Sequence, residues 1–178
     1  MVRYALRPGL SEMEDTHMEQ RGTKSGERQR MRNLLLSRDR LARTLAANFT
    51  GGDLLVTLTY QAGPWPRSRE LARQQVRQWI GSISALRRAK GMAAKYVYLL
   101  GTEQAGSLVH RVILNRGRES ASMLGHPWPY GPVYVGPLDL SQQGQALASG
   151  LLRQPIQAGH SPLPCARLWV SSRGIHHT

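Results

Sequence analysis

The sequence predicts an α+β protein in which an antiparallel sheet carries helices on one face. Apolar residues recur at helical spacing in separate segments, and short runs of alternating apolar and polar residues lie between them. In chain order, the elements form a basic N-terminal helix followed by a split β-α-β arrangement. With 178 residues, the chain is long enough to bury one hydrophobic core.

The N-terminal region is predicted to have two parts. Residues 1–23 are polar and have no periodicity, so they are expected to form a loose arm. Apolar residues at helical spacing predict a helix over residues 25–48, and Gly51 and Gly52 end it. Residues 24–175 are therefore predicted to form a single domain that includes this helix.

Alternation, periodicity and turn residues define the remaining elements. The second helix is expected to begin at Pro66, whose missing N–H costs nothing in a first turn. A short Gly-containing turn joins two strands as an antiparallel hairpin. The predicted ranges are strand 53–60, helix 66–90, strands 95–102 and 108–115, a short helix near 118–125, strand 131–137, helix 141–153 and strand 167–171.

The balance of charge indicates the kind of partner. The chain has 24 Lys and Arg against 11 Asp and Glu, a net charge of +13, and all the basic residues except Lys24, Lys90 and Lys95 are arginine. The planar fork of donors on arginine matches phosphate oxygens, so DNA or structured RNA is the expected partner. The predicted contacts are Arg69, Arg73, Arg77, Arg87, Arg88, Lys90, Lys95, Arg111, Arg116 and Arg118.

Several classes are excluded by composition. The single cysteine, Cys165, excludes an intramolecular disulfide framework and a Cys-cluster zinc site. The first 20 residues have no apolar core of a signal peptide, and no apolar run approaches the roughly 18 residues of a membrane span. The prediction is a cytoplasmic protein without a membrane partner. Trp65 and Trp128, flanked by prolines, are candidates for exposed base stacking.

Five short stretches follow one another in a particular order. They are NFTGGD at 48–53, VTLTY at 56–60, KY…E from 95 to 103, VILN at 112–115 and LWVSSR at 168–173. Together they resemble the HUH-type replication initiators (Rep proteins) of rolling-circle plasmids and mobile elements. The resemblance covers residues 28–175 and implies a ferredoxin- or RRM-like HUH fold that binds single-stranded or hairpin DNA.

The resemblance also implies where the metal site of that family would lie. There, two histidines at i and i+2 on a strand hold a divalent metal together with a nearby acid. The resemblance places these histidines at Val109 and Arg111, with His110 between them. A register shifted by one residue would make His110 a ligand beside Glu103, with Val112 as the missing partner.

The nucleophile of the family is missing as well. Its tyrosine, in a Tyr-x-x-Lys helix, attacks the phosphate and stays bound to the DNA 5′ end. The resemblance aligns Gly150 with this tyrosine and Arg153 with the lysine, and glycine has no nucleophile. It therefore implies a catalytically degenerate Rep-like protein of a mobile element, which binds nucleic acid without nicking it and needs no cofactor.

Two alternatives stay open at this stage. One is an active HUH endonuclease with a divergent site that uses Mn²⁺ or Mg²⁺. The other is a mobile-element inhibitor of a host nucleic-acid-guided defence such as a CRISPR effector, whose partner would be a host ribonucleoprotein.

The length of the hairpin loop determines whether Glu103 lies on the same face of the sheet as His110 or as Arg111. A four-residue loop at 104–107 is favoured, which pairs Glu103 with Leu108 on the face of His110. Arg111 would then be available to bind phosphate in place of the metal. An ion pair between Arg111 and Glu103 would exclude that role.

Overall fold

The computed structural model describes residues 11–61, 65–101, 103–104, 107–140, 148 and 169–176. Helices and strands alternate within this part of the chain, which confirms the predicted α+β class. The elements are α1 (Ser11–Asn48), β1 (Leu54–Thr59), α2 (Arg69–Arg88), β2 (Tyr96–Leu99), β3 (Glu103–Gln104), β4 (Ser107–Leu114), α3 (Ala121–Gly125), β5 (Val133–Pro137) and β6 (Trp169–Ser171).

Helix α1 is longer at its N-terminus than predicted. It begins at Ser11, so residues 11–23, which were expected to be a loose arm, are helical, and residues 1–10 lie outside the described residues. This stretch contains three Glu and two Met, which favour helix without an apolar stripe. The predicted boundary after residue 23 falls inside this helix. The chain divides into two compact units, residues 1–37 and 38–178.

The second unit contains an antiparallel sheet. The strands lie in the order β5-β1-β4-β2-β6, and β3 pairs with the start of β4. Strand β4 is central, with Val56 of β1 on one side of Val112 and Tyr98 of β2 on the other. The predicted antiparallel sheet is therefore confirmed.

Helices cover both faces of this sheet, which corrects the expectation that they pack on one face. Helix α2 covers one face, where its Val76, Trp79 and Ile83 join a core with residues of β1, β2 and β4. The last turns of α1 cover the other face, through Leu41 and Leu45. The second layer is needed because the strands carry consecutive apolar residues, such as Val112, Ile113 and Leu114 in β4, and these point to opposite faces.

Helix α2 begins at Arg69 instead of Pro66. The Ser68 side chain caps it by accepting a hydrogen bond from the Leu71 N–H at 3.1 Å. Its buried Trp79 donates from Nε1 to the Leu124 carbonyl at 2.8 Å and so holds α3 against the same face. None of the described helices combines the length and apolarity that a bilayer crossing requires.

The predicted helix at 141–153 lies largely outside the described residues. Ala148, which is helical and buried, is the described exception. Gly150 and Arg153 lie outside the described residues.

Candidate nucleic-acid interface

Strand β4 carries the three positions to which the resemblance assigns metal ligands. His110 lies opposite Leu58 and faces α2, whereas Val109 and Arg111 point to the face covered by α1. Valine and arginine offer no lone pair to a cation, so these positions cannot hold a metal in the way the family does.

His110 is a buried side chain that accepts a hydrogen bond. Its side chain is 1% exposed, and its ring packs edge-on against Tyr60 and Trp128, at centroid distances of 5.4 and 6.3 Å. The Gly101 N–H donates to Nδ1 at 3.0 Å. Burial, and next the charge of Arg69, lower the pKa of His110 to about 4, so the ring is neutral at pH 7. With Nδ1 accepting, the proton of the neutral ring lies on Nε2.

The hydrogen bond to Nδ1 counts against a metal at His110, and its predicted role as a metal ligand beside Glu103 stays a prediction. A neutral imidazole binds a cation through a free lone pair, and in His110 the lone pair on Nδ1 is used by Gly101. The described residues contain no group of three His, Cys, Asp or Glu that could hold a metal ion.

Gly101 is the residue that makes this arrangement fit. A Cβ at this position would overlap the carbonyl oxygen of Val109, because the chain after β2 passes directly against β4. The absence of a side chain lets the Gly101 amide reach the His110 ring.

The hairpin has the predicted pairing with a shorter loop. Glu103 lies opposite Leu108, as predicted, but Gln104 also pairs with Ser107, so two residues separate the strands instead of four. The Glu103 side chain lies outside the described residues. Arg111 is half-buried in β4, between Thr57 and Leu99, and its predicted phosphate contact stays a prediction.

Arg69 and Arg73 lie one turn apart at the start of α2, and both are half-buried. Arg69 Nε and Nη2 and Arg73 Nε are buried without a hydrogen-bond partner in the described part of the chain. Arg73 Nη1 contacts Glu70 at 3.2 Å. Burial, followed by the charge of Arg73, lowers the pKa of Arg69. The two guanidinium groups therefore repel each other in surroundings with little water.

Arg87 does not belong to the binding surface, which corrects its predicted role. Its side chain and that of Glu119 are both 0% exposed. Arg87 donates from Nε and Nη2 to the two Glu119 carboxylate oxygens at 3.1 and 2.9 Å, and from Nη1 to Asn115 Oδ1 at 2.6 Å. Burial alone would raise the pKa of Glu119, but the hydrogen bonds and charge of Arg87 outweigh it and lower this pKa.

Most of the other predicted basic residues gather at one end of the sheet, which we call the basic end. They end or follow α2, precede β2 or follow β4. Strand register brings these points together, because Leu54, Tyr96 and Leu114 lie side by side. Arg173, after β6, was not predicted and lies at the same end. The basic end consists of Arg88, Lys90, Lys95, Arg116, Arg118 and Arg173, which are exposed except for the half-buried Lys95.

The acidic groups at this end are mostly turned inward. Glu119 is taken up by Arg87, and Asp53, which is 8% exposed, accepts from the backbone N–H groups of Thr50 and Arg116 at 2.7 Å each. Asp139, after β5, is exposed at the same end. None of the six basic side chains forms an ion pair with another described residue.

The structure therefore separates the predicted contacts into two groups. Arg69 and Arg73 lie at the start of α2 beside His110, and Arg77 follows one turn later, whereas the basic end lies at the other end of the helix. The rise of an α-helix places Arg73 and Arg88 about 22 Å apart along its axis.

Neither of the two predicted stacking residues is fully exposed. Trp128 is 4% exposed and donates from Nε1 to the Thr59 carbonyl at 2.8 Å, so its predicted exposure is wrong. Trp65 is half-buried and packs against the core on the α2 face.

Comparisons with family models, with curated proteins and with solved structures find no match to this chain. The functional assignment therefore depends on the chemistry of the two basic groups.

Proposed function

We propose that this chain is a Rep-like nucleic-acid-binding protein that holds the phosphate backbone with its basic end. The observation that carries this proposal is the collection of six basic side chains on one end of the sheet, while the nearby Glu119 and Asp53 are buried and satisfied. Asp139 is exposed at the same end, but the inward-facing acids leave most of the outward charge uncompensated, and such a surface attracts a polyanion.

The geometry of the basic end suits a backbone better than a small anion. Its members come from the end of α2, the start of β2 and the chain after β4 and β6, so they are spread across several strands. Neighbouring strands are about 4.8 Å apart, which lets the group follow several consecutive phosphates. Contacts of this kind position a nucleic acid without identifying its bases.

The same proposal holds that binding occurs without nicking. Val109 and Arg111 cannot ligate a cation, and His110 offers an N–H in place of a lone pair. Protein incubated with single-stranded or hairpin DNA and Mn²⁺ or Mg²⁺ should leave the DNA intact on a denaturing gel. A tyrosine-linked protein–DNA adduct would contradict this part of the proposal and favour the divergent endonuclease.

Salt-dependent binding tests the basic end itself. Fluorescence anisotropy would follow a labelled single strand, a DNA hairpin and a structured RNA from about 50 to 200 mM salt. Six phosphate contacts to a single strand would give a slope of log K against log salt near −4. The triple variant Arg88→Gln, Lys90→Gln, Arg118→Gln should flatten the slope by about 2, because three contacts are lost.

A charge-matched control separates local contacts from net charge. The triple variant Arg28→Gln, Arg30→Gln, Arg32→Gln removes the same charge from exposed positions of α1. It should keep most of the slope. Equal losses in both triple variants, or an unchanged slope in the first, would show that the basic end is not the binding surface.

A further inference from the structure

Besides Trp65 Nε1, four buried nitrogen atoms on the α2 face lack a hydrogen-bond partner within the described part of the chain. They are Arg69 Nε, Arg69 Nη2, Arg73 Nε and His110 Nε2. Buried polar groups are nearly always paired, so several orphans at one place require an explanation. The three residues lie close enough to interact, because the charge of Arg69 acts on His110 and the charge of Arg73 acts on Arg69.

All four atoms are donors. Guanidinium nitrogens only donate, and the Gly101 N–H bond to Nδ1 makes Nε2 of His110 the protonated nitrogen of a neutral ring. The His110 side chain is 1% exposed and is held by Tyr60 and Trp128 as well as by Gly101. Its N–H direction is therefore fixed before any ligand arrives.

Burying these donors without an acceptor costs free energy of folding. Arg69 and Arg73 carry like charges, and several of their nitrogens are buried away from water. Among the described contacts, Glu70 is the one carboxylate that pairs with either guanidinium, through Arg73 Nη1. An anion would supply acceptors to the orphan nitrogens and neutralise the repulsion. A cation would add to the repulsion and would find no lone pair on His110.

We propose that Arg69, Arg73 and His110 form a binding site for one phosphate group. Forked arginine donors and a neutral imidazole N–H together suit a tetrahedral anion with several acceptor oxygens. The idea that this phosphate belongs to a nucleic acid rests on the proposed function, whereas the existence of the site does not.

This site differs from the basic end and from the degenerate metal positions. The helical rise places Arg73 about 22 Å from Arg88 along the axis of α2. The site is on the α2 face of the sheet, and Val109 and Arg111 point to the α1 face. Because the donors are buried, a strand terminus or a small phosphate fits the site better than a phosphate in the middle of a duplex.

Phosphate binding by the whole chain tests the site directly. Calorimetry and thermal unfolding would compare inorganic phosphate with chloride at equal ionic strength. Phosphate should bind and raise the melting temperature of the wild-type protein. Arg69→Gln and His110→Phe should each weaken phosphate binding about tenfold or more, since each removes donors to a charged ligand. Arg28→Gln, an equal loss of charge at an exposed position of α1, should leave phosphate affinity unchanged.

A spectroscopic measurement needs no substitution. The ¹⁵N resonances of the His110 ring should shift on addition of phosphate, because Nε2–H gains an acceptor, and should not shift with chloride. Absence of phosphate binding by wild-type protein, equal effects of phosphate and chloride, or full affinity in Arg69→Gln would overturn the proposal.

Oligonucleotides distinguish the two sources of the phosphate. If a 5′-phosphorylated single strand binds more tightly than its 5′-hydroxyl form, and Arg69→Gln abolishes the difference, the ligand is a strand terminus. If inorganic phosphate binds but the two strands bind equally, the site takes a small phosphate compound. Failure of all nucleic-acid binding with phosphate binding retained would refute the proposed function and leave the site intact.

Discussion

Replacing Arg87 by methionine removes the cation of a fully buried ion pair. The Glu119 carboxylate would keep its place in the protein but lose both charged donors, at 2.9 and 3.1 Å. Leaving one partner of such a pair buried and unpaired costs about 3–5 kcal/mol of the free energy of unfolding. For a chain of this size, each kcal/mol lowers the melting temperature by about 2–4 °C, so Arg87→Met should lose roughly 6–20 °C.

Thermal and urea unfolding of four proteins would measure this cost. The neighbouring Arg88→Met should change the free energy of unfolding by less than about 0.5 kcal/mol, because Arg88 is exposed. The double variant Arg87→Met, Glu119→Leu should recover most of the loss, since no buried charge stays unpaired. A loss in Arg87→Met no larger than in Arg88→Met would refute the structural role and return Arg87 to the binding surface.

Acid should weaken the same ion pair. The pKa of Glu119 is lowered in the folded protein, so the folded state releases a proton that the unfolded state holds. The resulting stability is fully present above the ordinary glutamate pKa and is lost as the pH falls through the lowered one. Urea unfolding of the wild-type protein from neutral to acid pH should show this loss, and the double variant should lack it.

Three further predictions concern packing, backbone approach and titration. Leu45→Ala should lower the free energy of unfolding by about 2–5 kcal/mol, because Leu45 is 0% exposed in the α1-face core, whereas Tyr134→Ser, at a residue 62% exposed, should change it by less than about 0.5. Gly101→Ala should destabilise the protein and shift the His110 ring resonances, because its Cβ overlaps the Val109 carbonyl; an unchanged spectrum would contradict this. In phosphate-free buffer, lowering the pH from about 6.5 to 4 should lower the free energy of unfolding by about 3 kcal/mol. The reason is that His110 takes up a proton in the unfolded state over this range, whereas in the folded state its pKa is about 4. His110→Phe should remove this dependence, and urea unfolding across that range checks it.

The local pattern was sufficient to predict the centre of the fold. The predicted helix at 66–90 contains α2, and the stripe of Ala72, Val76, Trp79, Ile80 and Ile83 at helical spacing is its buried face. Leu86, at the same spacing, is half-buried. Alternation also located β1 and β4 to within about two residues. These elements depend on neighbours three or four positions along a helix, or two along a strand, which a sequence displays directly.

Long-range partners limited the rest of the prediction. Arg87 lies four residues after the buried Ile83, so the stripe itself indicated a buried position, but the residue type suggested solvent. Its partner Glu119 follows β4, and only the folded sheet brings the two together. The covering of the second face by α1 had a visible signal in the consecutive apolar residues of β4.

The candidate phosphate site could be predicted only in part. Arg69 and Arg73 were identified by charge, and His110 by its place in β4. Their grouping depends on which face His110 points to and on the close approach of Gly101, and both follow from strand register. Arg173 was missed because its place beside Arg116 and Lys95 depends on the pairing of β6 with β2.

The order of the strands also determines how the chain reaches its native state. Leu54 lies opposite Leu114 and Val97 opposite Ser171, so the central and outer pairings join parts of the chain that are distant in sequence. Proteins dominated by such contacts fold in about milliseconds to seconds, because the chain must lose the entropy of closing long loops before the stabilising contacts form. Until β6 docks, the outer edge of β2 can pair with another chain. Refolding yield should therefore fall as protein concentration rises, and dilution during refolding should restore it.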